Sequence, residues 1–99
     1  MITHVVLIQP KDSTSNEELT VFLEHVQALQ EKIPGILSIS VGENRSNFHG
    51  GFTHGIIMRF VDEAHLLAHH AHPAHVAVVE ELDHLCEKSI DFDLLETAL

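Results

Sequence analysis

The run Ile2-Thr-His-Val-Val-Leu-Ile8 is the feature that most constrains what this 99-residue chain can become. Ile2, Val5, Val6, Leu7 and Ile8 are mostly β-branched, and Pro10 removes the next backbone donor, so Ile2 to Gln9 is expected as a strand. Side chains alternate along a strand, which puts Ile2, His4, Val6 and Ile8 on one face and Val5 and Leu7 on the other. Both faces are therefore apolar. A strand of that kind needs a cover on each side of its sheet.

The rest of the chain supplies too little to provide both covers. Ser15-Asn-Glu-Glu18 has the form of a capping box, with the serine oxygen accepting from the Glu18 amide and the Glu18 side chain returning to the cap. Leu19, Phe22, Leu23, Val26, Leu29 and Ile33 then recur at three and four residues, an apolar stripe of about four turns, and Pro34-Gly35 stops it. Ile36 to Val41 reads as a second strand and Gly42 to Gly51 as a polar hairpin loop. Phe52 to Phe60 reads as a third strand, with Phe52, His54, Ile56, Met58 and Phe60 on one face and Thr53, Ile57 and Arg59 on the other.

Asp62 is placed to cap a short helix carrying Ala64, Leu66, Leu67 and Ala68 as far as about His70. Proline suits the first position of a helix and pushes its predecessor out of the helical region, so His72 marks a break and a second helix starts at Pro73. There Val76, Val79, Leu82 and Cys86 repeat at helical spacing, and His75 falls on their face. Ser89 to Leu94 reads as a fourth strand, and Leu95 to Leu99 as a tail that frays.

Strand, helix, strand, strand, helix, strand is the ferredoxin-like βαββαβ order, an α+β fold with a four-stranded antiparallel sheet and both helices on one face. The second apolar face then needs a partner. Another copy of the same chain is the economical one, because two sheets packed face to face bury area that one small domain cannot bury alone. The expectation is a single domain over residues 1–99, paired into a dimeric α/β barrel.

Fifteen acidic against five basic residues leave a net charge of -10 with histidine neutral, which repels phosphate backbones and anionic lipid. Nucleic acid and membrane are not expected as partners. Neither a long apolar run nor a basic, apolar leader is visible, so a cytoplasmic location is the expectation. The single cysteine, Cys86, sits in an apolar pattern and reads as a small buried hydrophobe.

Ten histidines bring the chemistry, five of them between His65 and His75. Imidazole is both a common metal ligand and the side chain that exchanges a proton near neutral pH. Spacing places His65 and His69, and His69 and His72, on one helix side, but there is no His-Glu-x-x-His and no cysteine pair, and the break at His72 spoils the spacing. No resident metal and no cofactor are expected. His25, beside the first helical stripe, reads as structural, and His49, His65, His70 and His84 as loop or surface residues.

Phe52-Thr-His54, His72-Pro-Ala-His75-Val and Lys88 through Phe92-Asp93 resemble the stress-responsive dimeric α/β-barrel family, with matching element order from Met1 to about Leu94. The resemblance implies a ferredoxin-like subunit, a barrel-forming homodimer and, for most members, no assigned activity; some plant relatives are stress-induced. One relative of known chemistry is a plant polyketide cyclase. By motif position His4, His54, His75 and Asp93 match polar residues of its pocket, His75 matching its catalytic histidine, while His69 stands where the cyclase has a tyrosine. This chain contains no tyrosine.

Three readings of the histidines remain open at this point. One is a pocket for a small ligand between helices and sheet, lined by His4, His54, His69 and Asp93 and closed by Phe22 and Phe60, with His75 as the general base if it is an enzyme. A second is opportunistic metal binding by the helical histidines. The third is a dimer whose histidines brace the fold or tune assembly with pH.

Overall fold

The computed structural model describes residues 1–96. β1 (Ile2–Pro10) and β3 (His54–Phe60) form the middle of a four-stranded sheet, with β4 (Cys86–Leu95) beside β1 and β2 (Ile36–Glu43) beside β3. All neighbours are antiparallel. Helices α1 (Asn16–Gln27), α2 (Leu29–Lys32), α3 (Glu63–His69) and α4 (Pro73–Leu85) complete the expected ferredoxin-like order.

Local chemistry sets the helix starts as the sequence implies. Ser15 Oγ accepts from the Glu18 amide at 3.0 Å while the Glu18 carboxylate accepts from the Ser15 amide at 3.0 Å, closing the capping box on α1. Asp62 accepts from the His65 amide at the start of α3. Pro73 opens α4, and His72 is its cap, Nδ1 accepting from the Ala74 amide at 3.1 Å. The expected four-turn stripe is divided at Ala28 into α1 and α2, yet Leu19, Phe22, Val26, Leu29 and Ile33 all stay buried.

Gly35 makes the turn out of α2 with φ +88°, and a Cβ there would overlap the ring of His65. That ring is held by the Asp62 carboxylate at 2.6 Å. The hydrogen bonds from His65 keep the Asp62 carboxyl below its usual pKa. His65 is thus at the surface, as its spacing suggested, with one side of its ring packed over the turn.

Four boundaries differ from expectation. β1 and β2 run slightly further, to Pro10 and Glu43. β3 begins at His54 rather than Phe52, because the Phe52 amide closes a turn onto the His49 carbonyl. β4 begins at Cys86 rather than Ser89, so Cys86 ends the helical pattern as the first strand residue. It is buried, and burial raises its thiol pKa, which leaves it unreactive. Leu95, expected in the tail, is the last residue of β4; Thr97 to Leu99 of that tail fall outside the described residues.

One face of the sheet carries Ile2, His4, Ile8, Ile56, Met58 and Phe60, all buried beneath the helices. Among the described residues the other face has no covering element. Across it Val5 lies opposite Ile57 and Phe92, Leu7 opposite Ile90, and Thr3 opposite Leu94. Ile57, Ile90, Phe92 and Leu94 are 44–53% exposed, the apolar second face that the first strand announced. At its margin Arg59 pairs with Glu96 at 2.9 Å, so the basic group of the third strand is spent on a surface ion pair.

Candidate functional site

β1 brings the first polar group under the helices. His4 is 5% exposed, and the register that sets it opposite Asp93 of β4 puts its Nδ1 2.5 Å from Oδ1 of that carboxylate. A carboxylate can only accept, so His4 Nδ1 is the donor in this contact. Residues 89 positions apart in sequence thus become one hydrogen-bonded pair.

α3 brings the second. Its face toward the sheet carries Leu66 and His69, and His69 is 1% exposed, with its ring 4.7 Å from Phe60 and 5.6 Å from His4. His69 Nδ1 donates to the Leu66 carbonyl, and on the opposite side of the ring Nε2 is buried with no partner among the described residues. Burial is the main cause that pushes its pKa down to about 4; the neighbouring His75, His70 and His4 add to the fall, against the Leu66 hydrogen bond. His69 is neutral at pH 7.

α4 brings His75 to within 4.3 Å of the His69 ring, centroid to centroid, and His70 completes the group at 4.5 Å from His69. His75 Nδ1 donates to the His70 carbonyl at 3.2 Å, which fixes its tautomer. Burial first, then the charges of His70, His4 and His72, lower its pKa, and the His70 carbonyl opposes them. His75 is therefore a neutral imidazole with a free Nε2 lone pair.

Of these groups His4, His70 and His75 line a partly open cleft of about 210 Å³ between α1, α4 and the sheet. Phe22, Val26, Leu29, Val6, Ile56, Met58, Val78 and Leu82 make its walls; His4, His70, His75, Asp83, Ser89 and Asp91 are its polar members. Phe22 lines it directly. Phe60 lies behind, packed on His4 and His69. His75, Val79 and Leu82 all line the cleft, but of the α4 residues expected to face inward only Leu82 packs on the core, Val79 being 38% exposed. Val76 does neither, being 43% exposed, because α4 presents Ala74, Val78, Leu82 and Leu85 to the core.

His54 is the candidate that the structure sets apart. It pairs with Ile8, whereas His4 pairs with Met58, so about 13 Å of strand separates it from the cluster. It hydrogen-bonds Thr53 and lines a surface hollow with Gln9, Asp12 and Gly51. Sharing a strand face is not sharing a site. The spacing of His65, His69 and His72 fails likewise: His65 packs on Gly35, His72 caps α4, and His69 turns inward. His70, read as surface, lines the cleft mouth; only its adjacency to His69 hinted at this. His25 joins α1 to α4 through Glu81 at 2.8 Å, and His49 braces its loop by accepting from the Gly51 amide.

Comparison with known proteins agrees with this architecture. The model of the stress responsive A/B barrel domain matches residues 2–95. A stress-response A/B barrel domain-containing protein of Arabidopsis thaliana is 32% identical over 82 residues, covering 82% of this chain and 31% of that protein. The chain thus spans about a third of that relative's length. Among solved structures, a crystal structure of an Arabidopsis thaliana protein superposes with TM-score 0.93 at 26% identity, over 100% of this chain and 98% of that one. A dimeric ferredoxin-like protein of unknown function from Jannaschia gives 0.85 at 22%, over 96% and 98%. A hydroxynitrile lyase from Passiflora edulis gives 0.91 at 20%, over 99% and 94%.

Proposed function

The chain belongs to the stress responsive A/B barrel domain family, and from that premise we propose that it is a homodimer binding a small, mostly apolar molecule with an oxygen function at the histidine end of its cleft. The carrying observation is the cleft: apolar walls that converge on two imidazoles, one oriented by Asp93 and the other by the His70 carbonyl. Its volume of about 210 Å³ sets the size. An apolar cavity of about 150 Å³ holds benzene, so one substituted ring is the appropriate scale.

The dimer rests on the uncovered apolar sheet face and on the dimeric neighbour of the same fold. Among the described residues no helix is long and apolar enough to cross a membrane.

The test is a fragment screen by chemical-shift perturbation, using benzaldehyde, acetophenone and phenol. Carbonyl-bearing rings are expected to move the His4 and His75 resonances, and Val79→Trp, which fills the cleft mouth without replacing a histidine, is expected to abolish the effect. Absence of any perturbation, or identical perturbation in Val79→Trp, refutes the pocket.

Catalysis is the second reading, favoured by the neutral, tautomer-fixed His75 beside the cleft and by a neighbour of the same fold that is a hydroxynitrile lyase. His75 then acts as general base on a proton next to the ligand carbonyl. His75→Ala is expected to remove turnover while fragment binding persists; retained turnover rejects the assignment.

A further inference from the structure

Three imidazoles, His69, His70 and His75, converge so that one ring nitrogen from each lies within 4.8 Å of the other two. We propose that this triad is a binding site for a divalent transition-metal ion of the zinc class, built from one buried and two cleft-facing histidines. The inference stands independently of any organic ligand in the cleft.

His69 Nε2 is buried with no hydrogen-bond partner among the described residues. A buried ring nitrogen with no partner is costly, and native proteins retain such a group where it has something to do. Its other nitrogen already donates to the Leu66 carbonyl, so the orphan atom carries a lone pair and can only accept or ligate. His75 is arranged the same way, with Nδ1 donating to the His70 carbonyl. A backbone carbonyl on the far nitrogen is the outer support that metal-binding histidines use to fix ring orientation and strengthen the ligand nitrogen. Two of the three rings therefore have this support from the chain itself.

Protonation competes little. Burial together with mutual repulsion lowers the pKa of His69 and His75, keeping them in the neutral form that binds metal.

Geometry permits closure on an ion. Zinc–nitrogen bonds of about 2.0 Å in a tetrahedron set nitrogens about 3.3 Å apart. His70 is exposed, so its ring has room to turn toward the ring nitrogens of His69 and His75. His70 and His75 line the cleft, so a fourth coordination position faces that cavity and an entry path exists. Three nitrogens suit zinc, cobalt(II) or nickel(II) better than magnesium or calcium, which prefer oxygen.

The measurement is calorimetric titration of tag-free, chelator-stripped protein with Zn²⁺, beside the visible absorption of the Co²⁺-loaded protein. One ion per chain and tetrahedral-type cobalt bands are expected. His70→Ala, His70→Gln and His75→Ala are each expected to weaken binding by about tenfold or more while leaving the circular dichroism unchanged. His65→Ala and His84→Ala are expected to bind as the wild type does. Binding undetectable at about 100 µM protein overturns the proposal. So does affinity unaffected by the His70 and His75 variants, or a site that disappears with His65 or His84, which marks adventitious surface coordination.

Discussion

Replacing His69 with leucine is expected to leave the metal-free protein about as stable as the wild type at pH 7.5, and to protect it by about 2 kcal/mol more at pH 5. The buried ring has one hydrogen bond, to the Leu66 carbonyl, and one unpaired nitrogen. Removing the orphan nitrogen recovers about 1–3 kcal/mol, and leaving the Leu66 carbonyl unpaired costs about as much, so at neutral pH the two nearly cancel. Leucine has a volume close to that of the imidazole and fits beside Phe60 and Leu66 with little new cavity.

Acid separates the two proteins further. The unfolded chain takes up a proton at His69 near pH 6.5, while the folded chain refuses it until about pH 4. The stabilisation of the folded state is complete above pH 6.5 and declines as pH falls between those values. At pH 5 the wild type has lost about 2 kcal/mol at this one site, and the variant nothing. The other histidines are common to both proteins, so the difference between them isolates this site. The assay is urea unfolding with EDTA at pH 7.5, 6 and 5, comparing midpoints at constant slope. Equal pH dependence in the two proteins refutes a buried, neutral His69. A loss above about 2 kcal/mol at pH 7.5 instead means that the ring nitrogen has a partner whose energy was left out.

Gly35→Ala is expected to cost more than about 2 kcal/mol, combining the positive φ with the overlap on His65; in a His65→Ala background the cost should fall to about the backbone share alone, and an equal loss in both argues against the overlap. Asp93→Ala strands the buried His4 Nδ1 and should destabilise by about 1–3 kcal/mol in urea unfolding, whereas Asp93→Asn should recover most of it; identical behaviour of the two variants speaks against the pair. Phe92→Lys places a charge on the uncovered sheet face through which the proposed homodimer pairs, so light scattering should register a monomer for the variant against a dimer for the wild type, and an unaltered mass would locate the interface elsewhere. Ser15→Ala removes one half of the capping box, and a loss of about 1 kcal/mol is expected in thermal or urea unfolding; no change would mean that the Glu18 half carries the cap.

Much of the fold was legible because it is governed by local rules. The capping box at Ser15, the Asp62 cap, the stop at Pro34-Gly35 and the restart at Pro73 act within a few residues of the chain, and each appears where the spacing placed it. Even the uncovered sheet face was written in β1, since strand alternation alone puts Val5 and Leu7 opposite Ile8. The boundaries at His54 and Cys86 were less readable, because a turn hydrogen bond and the pairing edge of β1 decide them.

The site was legible only in part, and the difference is physical. Periodicity says which residues share a face but not how far along that face they stand or what lies opposite. His4 and His54 lie on one face of neighbouring strands, yet the antiparallel register separates them by about 13 Å and joins His4 to Asp93 instead. The Val76, Val78 and Val79 side chains left α4 more than one apolar face, and packing against the sheet chose among them. His69 fits both a pocket position and a helical metal spacing on sequence grounds; only the seating of α3 on Phe60 buried its ring, left Nε2 unpaired and aligned it with His70 and His75. The sequence by itself determined the elements, their order and the need for a second cover on the sheet, because caps, proline and alternation act over a few residues. Tertiary structure decided which imidazoles meet and which stay dry, because those outcomes depend on register and helix seating between residues far apart in the chain.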